Sequence, residues 1–319
     1  MAYTESNNYY KIPDYNRSKT VYTKFDDQYS LEEMTITLYV IISALGIIGN
    51  GLVIWIAGFR MKKTVSAVWF LNLAIADFLC CASLPLRIVE MFSYYPDSEF
   101  FCILSMILFN LNMSASVLLL TAMSIDRCVS VMWPFWSKVH RTHKLLRITA
   151  AIIWLLSLVV TGLIYYFYKF IFQEFYEWCT LNPYDCLDAN SCTLKQKIQL
   201  IRLFIMFLIP FMIILISYVM IFLKIIKSKR PQRSQRPYRI ITAVILCFFI
   251  CWCPYYIWPL TPLYEDAIEF YTINTIIINL ACLNSCINPI IYVLMGQNVN
   301  SIFCRSIPSR LEKALTEQP

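Results

Sequence analysis

Residues 36–59 read ITLYVIISALGIIGNGLVIWIAGF and contain no aspartate, glutamate, lysine or arginine. Because an α-helix rises about 1.5 Å per residue, a helix of this length crosses an apolar layer of about 30 Å. The segment lacks the strict alternation of apolar and polar residues that is typical of membrane β-barrels. It therefore predicts a transmembrane α-helix.

Six more apolar runs follow this first one along the chain. They lie at about residues 66–92, 100–132, 146–168, 198–226, 238–260 and 270–295. Of all residues, 59% are hydrophobic and 15% are charged, whereas soluble domains carry roughly 25% charged residues. The sequence therefore predicts an all-α membrane protein, in which residues 34–295 form a seven-transmembrane helix bundle.

Basic residues predict the orientation of this bundle. The loops after the first, third and fifth spans contain lysine and arginine but no acidic residue, while acidic residues collect in residues 1–33 and in the other loops. Short basic loops stay in the cytoplasm, so we expect a multi-pass protein of the plasma membrane with an extracellular amino terminus. The same rule explains the net charge of +7 without nucleic acid as a partner.

Two segments flank the predicted bundle. Residues 1–33 form an acidic, tyrosine-rich tail with an N-glycosylation acceptor at Asn16, which the predicted orientation places outside the cell. The apolar content of this tail is too low for it to fold alone. Residues 296–319 begin with Gly296, which interrupts the helix, and we expect a short amphipathic helix there, followed by a short cytoplasmic tail.

Four of the thirteen cysteines lie on the predicted outer side of the membrane: Cys102, Cys179, Cys186 and Cys192. That side is oxidising, so we expect an even set of cysteines to form disulfides. Four cysteines allow three connectivities, and their spacing alone leaves the pairing open.

Asp77 places a carboxyl group inside the second span, where polar side chains are costly and are commonly functional. We interpret it as the centre of a weak site for a monovalent cation such as Na⁺, since hard cations prefer oxygen ligands. The alternative is a neutral, hydrogen-bonded carboxyl group. Other spans supply candidate oxygen ligands: Asn112, Ser116, Asn284, Ser285 and Asn288. We expect no other cofactor.

An acidic and a basic residue adjoin at the inner end of the third span, in Asp126-Arg127-Cys128. Taken alone, this dipeptide predicts no more than an interfacial ion pair. The other spans carry further landmarks at matching depths: Gly49-Asn50, residues 73–77, Trp154, Pro210 with Tyr218, Phe248, Cys251-Trp252-Cys253-Pro254 and Asn288-Pro289-Ile290-Ile291-Tyr292. As an ordered set, these motifs resemble the rhodopsin-like (class A) G-protein-coupled receptors over nearly the whole chain.

This resemblance implies an activation mechanism. Arg127 matches the family arginine that pairs with its neighbouring acid, Asp126, at rest and turns toward the G protein in the active state. Trp252 matches the aromatic switch beneath the ligand pocket. The remaining residues of the implied switch are Tyr218, Asn288, Pro289 and Tyr292.

The resemblance also implies how the outer cysteines pair. Cys102, at the outer end of the third span, matches the family cysteine that is bonded to the second outer loop, and Cys179 is its implied partner. Cys186 and Cys192 would then form a second, local bridge.

Charged residues in the outer halves of the spans restrict the ligand class. Residues 103–112 contain no acidic residue and the seventh span contains no lysine, which argues against amine and retinal receptors. Arg87 in the second span and Arg202 in the fifth are cations at the depth of a ligand pocket. Arginine binds carboxylates in a bidentate manner, so we expect an anionic group such as a peptide carboxyl terminus. The alternative is that both side chains reach the lipid headgroups.

Several stretches narrow the resemblance to the chemoattractant receptors. Residues 67–79, 111–113 and 124–128 resemble that group, and residues 287–297, 306–309 and 315–317 are most similar to receptors for the complement anaphylatoxin C5a. The implied ligand is a peptide or small protein outside the cell. The implied partners inside are an inhibitory heterotrimeric G protein and, more weakly, arrestin, and the surrounding lipid is the remaining partner.

The residues that we expect to contact the ligand are Arg202, Arg87, Tyr255, Asn274 and Lys169. Two of these depart from the C5a receptor group: Asn274 stands where that group carries an aspartate, and Lys169 lies beside Tyr168, where it carries an arginine. Tyr10 and Tyr15 match sulfated tyrosines of the tail, and unmodified tyrosines are the alternative. The departures leave the identity of the ligand open.

Alternatives of two kinds remain at this point. Within receptors, the ligand is instead C3a, chemerin or a formyl peptide. The competing class is a polytopic transporter or channel, but we find neither inverted repeats nor broken helices around a midplane site. An enzyme is not expected, because the two histidines, His140 and His143, lie in an inner loop.

Overall fold

The computed structural model of the chain describes residues 15–60, 65–92, 97–171, 189–227, 236–260 and 267–295. Within these ranges the chain forms nine α-helices: α1 Tyr15–Trp55, α2 Val65–Phe92, α3 Asp97–Met132, α4 Pro134–His140, α5 His143–Ile171, α6 Ala189–Leu203, α7 Ile209–Lys227, α8 Arg236–Ile257 and α9 Ala267–Met295. Two π-helical turns, Ile56–Arg60 and Phe204–Leu208, and a 3-10 turn, Trp258–Leu260, continue these helices.

Seven helical segments are long and apolar enough to cross a membrane, and we number them as spans 1 to 7. They are Ser30–Arg60, Ala67–Phe92, Phe100–Met132, His143–Phe167, Gln196–Lys227, Arg239–Leu260 and Thr272–Tyr292. These spans confirm the predicted seven-helix bundle, with bounds that differ from the predicted runs by a few residues. Large apolar side chains such as Ile48, Leu155 and Ile250 are exposed on the bundle, as expected where lipid is the solvent.

Span 3 lies at the centre of the bundle and span 4 at its periphery. In the most apolar window of span 3, 67% of the residues are buried, against 28% in span 4. Span 4 is tied to span 2 by the indole of Trp154, which donates a hydrogen bond to Oδ1 of Asn72 at 2.9 Å. Polar residues on span 3 therefore face other helices rather than lipid.

The first helix is longer than the apolar run that predicted it. It begins at Tyr15, within residues 1–33, which we predicted to be too poor in apolar residues to fold alone. Extending an existing helix costs less free energy than starting one, because each added residue gains a hydrogen bond without a new nucleus. Residues 15–29 therefore form a helix as an extension of span 1. A prediction from their own apolar content does not include this effect of the neighbouring span. The amphipathic helix and tail predicted for residues 296–319 lie outside the described residues.

Spans 1 and 2 are in close contact next to a proline of span 2. Pro85 has no amide hydrogen, so the carbonyl oxygen of Cys81, four residues earlier, loses its helical donor. The hydroxyl of Ser43 in span 1 donates to this oxygen at 2.9 Å. A Cβ atom at Gly46 would overlap Sγ of Cys81 and lie 2.8 Å from its Cβ. The two helices approach this closely because residue 46 has no side chain.

Span 1 contacts the proline of span 7 in the same way. Pro289 leaves the carbonyl oxygen of Ser285 without its helical donor, and the side-chain amide of Asn50 donates to that oxygen at 2.8 Å. A Cβ atom at Gly49 would lie 3.0 Å from Cβ of Pro289. The Gly49-Asn50 motif thus has a structural role, since the glycine admits the proline ring and the asparagine satisfies the carbonyl group.

A π-helical turn shapes span 5 just before Pro210. The amide of Ile209 donates to the carbonyl oxygen of Phe204, five residues earlier, so this turn holds one residue more than an α-helical turn. The extra residue changes the direction in which the preceding helix presents its side chains. Arg202 is one of these side chains.

Candidate functional site

A buried polar cluster is centred on Asp77 of span 2, which is fully buried. The side-chain amide of Asn112 in span 3 donates to Oδ1 of Asp77 at 3.0 Å, and that of Asn288 in span 7 donates to Oδ2 at 2.7 Å. The same amide of Asn112 lies 3.4 Å from Oγ of Ser116, and the hydroxyl of Ser285 donates to Oδ1 of Asn112 at 3.4 Å. Spans 2, 3 and 7 therefore meet at one carboxyl group.

Asn284 lies one helical turn before Asn288 on span 7 and is buried. Neither polar atom of its side chain, nor Oδ1 of Asn288, has a hydrogen-bond partner among the described residues. Buried polar atoms without a partner are costly, and a cation next to Asp77 would be bound by such oxygens. The donor set fits the predicted Na⁺, which would supply the positive charge that a buried carboxylate lacks. In the described ranges, no three histidine, cysteine, aspartate or glutamate side chains gather into a metal site.

Arg202 of span 5 extends into the bundle and is 6% exposed. Its guanidinium donates to Oδ1 of Asn110 in span 3 at 3.1 Å and to the hydroxyl of Tyr255 in span 6 at 3.4 Å. It also donates to Oε1 of Gln199 at 3.4 Å, and Cζ lies 5.8 Å from the centroid of the Tyr255 ring. The side chain therefore joins spans 3, 5 and 6 and does not reach toward lipid headgroups.

An aromatic cluster lies next to this arginine. The rings of Tyr255 and Trp252 meet edge to face, with centroids 5.5 Å apart, and Phe109 lies 5.2 Å from Trp252 and 5.6 Å from Tyr255. Phe248 follows at 6.0 Å from Trp252. Trp252 is fully buried. Tyr255 therefore contacts both Arg202 and Trp252.

Arg87 of span 2 has an acidic neighbour that is absent from the predicted site residues. One of its terminal nitrogens lies 3.4 Å from Oε2 of Glu90, and the other lies 3.1 Å from Sδ of Met106 in span 3. The side chains of Arg87 and Glu90 are 21% and 15% exposed. Residues three apart face the same side of a helix, so the spacing of Arg87 and Glu90 could have predicted this ion pair.

The structure describes two further residues that we predicted to contact the ligand, Asn274 and Lys169. Asn274 in span 7 is half-buried, and Lys169 near the end of α5 is exposed. In the described part of the chain, no hydrogen bond or ion pair joins either residue to Arg87 or Arg202. Their contact with a ligand stays a prediction.

The predictions for the outer segments fall largely outside the described residues. Cys102 is fully buried and forms a disulfide. Its implied partner Cys179 lies outside the described residues, as does Cys186, and the side chain of Cys192 is not described either. The cysteine pairing therefore stays a prediction. The same holds for the tail side chains of Tyr10, Tyr15 and Asn16.

Asp126, at the predicted inner end of span 3, forms an ion pair with a residue that we did not predict. Asp126 accepts hydrogen bonds from Nε and Nη2 of Arg141, at 2.7 Å and 2.6 Å, and from the indole of Trp69 at 3.2 Å. Arg141 is therefore a partner of Asp126 that we did not predict, and the resting pair of Asp126 with Arg127 stays a prediction. The sequence spacing between Asp126 and Arg141, which lies in the loop after α4, did not predict that the two side chains pair.

The other predicted switch residues lie around this end of the bundle. Arg127 is buried at 2% exposure, and Tyr292 is buried with its ring edge to face on Phe70, at 5.2 Å between centroids. Tyr218 of span 5 is half-buried. Spans 2, 3, 5 and 7 therefore each contribute an aromatic or charged side chain to this end of the bundle.

Comparison with known proteins adds to this geometry. A family model described as "7 transmembrane receptor (rhodopsin family)" matches residues 49–292. The chain is 37% identical to formyl peptide receptor 2 of Mus musculus over 290 residues, which cover 86% of this chain and 82% of that receptor. It is 38% identical to N-formyl peptide receptor 3 of Homo sapiens over 294 residues, with coverage of 86% and 82%. It is 34% identical to the C3a anaphylatoxin chemotactic receptor of Oncorhynchus mykiss over 301 residues, with coverage of 90% and 80%.

Proposed function

Because the chain belongs to the rhodopsin family of seven-transmembrane receptors, we propose that it is a G-protein-coupled receptor for a chemoattractant peptide or small protein. The relatives that support this proposal are receptors for formyl peptides and for C3a. Proteins of this family are receptors and not enzymes. The match to the family also argues against the alternative of a transporter or channel.

Two ligands are proposed. Complement C5a is supported by the resemblance of residues 287–297 and of the acidic, tyrosine-rich tail to the C5a receptor group. An N-formyl peptide is supported equally well, because relatives at 37% and 38% identity are formyl peptide receptors. C3a and chemerin are further alternatives. All four are peptides or proteins whose carboxyl terminus is an anion.

The position of Arg202 is the observation that gives the proposal its main support. Its guanidinium lies inside the bundle, where it donates hydrogen bonds to the neutral side chains of Asn110, Gln199 and Tyr255. A carboxylate accepts two parallel hydrogen bonds from a guanidinium, and such charge-assisted bonds are stronger than bonds to neutral groups. An incoming carboxylate therefore competes well against these three hydrogen bonds for the guanidinium. Because Tyr255 packs against Trp252, this exchange alters the surroundings of Trp252.

The test is a ligand panel with Arg202→Ala. C5a, C3a, chemerin and N-formyl-Met-Leu-Phe are applied to cells that express the receptor, and G-protein activation and surface expression are both measured. We expect at least one ligand to activate the wild type and Arg202→Ala to reduce its potency by about tenfold or more, since a charge-assisted hydrogen bond contributes about 1.5–3 kcal/mol.

Lys197→Ala is the matched control, because it removes a cation from the exposed side of the same helix. It should leave potency unchanged. A flat response of the wild type to all four ligands would contradict the proposed ligands. An Arg202→Ala receptor that reaches the surface and responds as the wild type does would contradict the role given to the arginine.

At the other end of the bundle, we infer that Arg127, Tyr218 and Tyr292 contact a heterotrimeric G protein of the inhibitory type, with weaker recruitment of arrestin. Na⁺ at Asp77 acts as an allosteric ion in this scheme. The amino terminus is extracellular at the plasma membrane, with Asn16 glycosylated. Sulfated Tyr10 and Tyr15 attract the basic parts of the ligand.

A further inference from the structure

Two free cysteines of span 6, Cys247 and Cys251, lie one helical turn apart, just before Trp252 and Pro254. Their sulfur atoms are 3.9 Å apart. Side chains four residues apart lie on the same side of a helix, one above the other. The backbone of span 6 therefore holds the two thiols close together. The function proposed above gives neither thiol a role.

This pair lies at the boundary between the lipid and the packed interior of the bundle. Leu246 and Ile250, which directly precede the two cysteines, are exposed. Cys247 itself is half-buried, whereas Cys251 is buried at 4% exposure. A ligand that comes from the lipid therefore meets Cys247 first. Because charged groups are costly inside the membrane, such a ligand has to be uncharged.

The number of side chains restricts the kind of centre that the pair binds. Among the residues that the structure describes, no three histidine, cysteine, aspartate or glutamate side chains gather into a metal site. Zn²⁺ usually takes four ligands, so two thiols fit it poorly. Cu⁺ accepts soft thiolates, but two thiolates and one Cu⁺ leave a net negative charge, which is costly in an apolar region.

A trivalent arsenic atom that carries one organic group needs two more ligands, and two thiols complete it. With bonds of about 2.3 Å, the length of a Zn–S bond, and an angle of about 100° at arsenic, its two sulfur atoms lie about 3.5 Å apart. The observed separation is 3.9 Å. Small rotations within the side-chain rotamers close a gap of about 0.4 Å.

The product of this reaction is neutral, as the surrounding lipid requires. An arsenic oxide with one organic group reacts with two thiols, so that two As–S bonds form and the As–O bonds break. Both thiol protons leave with the oxygen atom as water. Neither arsenic nor sulfur changes its oxidation state, and no charge remains on the two cysteines.

We propose that Cys247 and Cys251 form a dithiol site that binds lipid-soluble trivalent arsenicals with one organic group. The bound arsenic atom bridges the turn of span 6 that directly precedes Trp252 and Pro254. The inference goes beyond the proposed function and does not depend on it, since it needs neither a peptide ligand nor a G protein.

A second pair in span 7 shows why the spacing alone is not enough. Cys282 and Cys286 are also four residues apart and free, but both are buried, at 2% and 4% exposure. The thiol of Cys286 donates to the carbonyl oxygen of Leu283 at 3.3 Å. This pair therefore lacks the access from lipid that Cys247 gives to the pair in span 6.

Phenylarsine oxide is the probe, and the full-length receptor in lipid nanodiscs is the sample. After reaction with an equimolar amount, 2-mercaptoethanol is added in increasing concentration, and inductively coupled plasma mass spectrometry counts the arsenic that remains on each receptor. An arsenic atom held by two thiols resists this monothiol, because its second bond is intramolecular. The wild type should retain about one arsenic atom per receptor, and the dithiol 2,3-dimercaptopropanol should release it.

Cys247→Ala and Cys251→Ala each leave a single thiol at the site. In either variant, the concentration of 2-mercaptoethanol that releases half of the arsenic should fall about a hundredfold. Two matched controls should behave as the wild type does. Cys253→Ala removes a half-buried single thiol of the same helix, and Cys282→Ala breaks the pair with the same spacing in span 7.

Three results would overturn the proposal. The wild type retains no arsenic, Cys247→Ala retains it as firmly as the wild type, or a control variant loses it to the same extent. Cys247→Ala changes a half-buried position and decides the matter even if Cys251→Ala fails to fold. Each of these results leaves the proposed function standing, since the assay uses no receptor ligand.

Discussion

Replacing Gly46 with alanine tests the close approach of spans 1 and 2. The added Cβ would overlap Sγ of Cys81 and lie 2.8 Å from Cβ of Cys81, well inside van der Waals contact. Because a Cβ is fixed to its backbone, a side-chain rotation cannot relieve the contact, and the two helices must separate by roughly 0.5–1 Å. Overpacking of this kind costs about 1–3 kcal/mol.

The separation has a second cost. The hydroxyl of Ser43 lies 2.9 Å from the carbonyl oxygen of Cys81, which Pro85 leaves without a helical donor. Lengthening this hydrogen bond loses about 1 kcal/mol more. The sum of about 2–4 kcal/mol predicts that Gly46→Ala lowers the melting temperature of the detergent-solubilised receptor by about 4–12 °C. Intrinsic tryptophan fluorescence during heating measures this change.

Gly162→Ala in span 4 is the matched control, since nothing lies within 4 Å of the position that its Cβ would take. Alanine is the better helix former by roughly 0.5–1 kcal/mol, so this variant should melt at the same temperature or higher. Adding Cys81→Ala to Gly46→Ala should recover part of the loss, because it removes Sγ but leaves the contact between the two Cβ atoms. Equal melting of the Gly46→Ala and Gly162→Ala variants would refute the packing described for spans 1 and 2.

Two further predictions concern the ion pair of Asp126 and the polar cluster. Arg141→Ala removes both hydrogen bonds that Asp126 accepts from Arg141 and should raise agonist-free nucleotide exchange several-fold. Arg147→Ala, at an exposed position near the start of α5, should leave it unchanged. Unchanged basal exchange in Arg141→Ala would mean that the pair does not stabilise the resting state. Asp77→Asn removes the charge that a bound cation requires, so agonist affinity should become equal in sodium chloride and choline chloride at one ionic strength. A persistent sodium effect in that variant would place the cation elsewhere.

The spans were predictable because each depends on a local property of the chain. A run of about twenty apolar residues satisfies its backbone hydrogen bonds only as a helix in lipid, and this rule needs no knowledge of neighbours. The start of α1 at Tyr15 was not predictable in this way, since residues 15–29 extend a helix that span 1 nucleates.

Side-chain partners were predictable only where the membrane restricts the choice. Asp77 had to meet polar groups inside the bundle, and the structure brings Asn112 and Asn288 to it. Asp126, in contrast, lies where water, lipid headgroups and loops all offer partners. The nearest basic residue in sequence is Arg127, but the backbone path of the loop after α4 also brings Arg141 to the carboxylate.

Span 3 connects the ligand region with the polar cluster. Asn110 accepts a hydrogen bond from Arg202, and Asn112, two residues later, donates one to Asp77. Residues two apart lie about 200° apart around a helix, so the two contacts occupy opposite sides of span 3. A rotation or shift of this helix that improves one contact therefore disturbs the other. Because such coupling is reciprocal, a Na⁺ ion at Asp77 that weakened agonist binding at Arg202 would itself be weakened by the agonist, by the same factor.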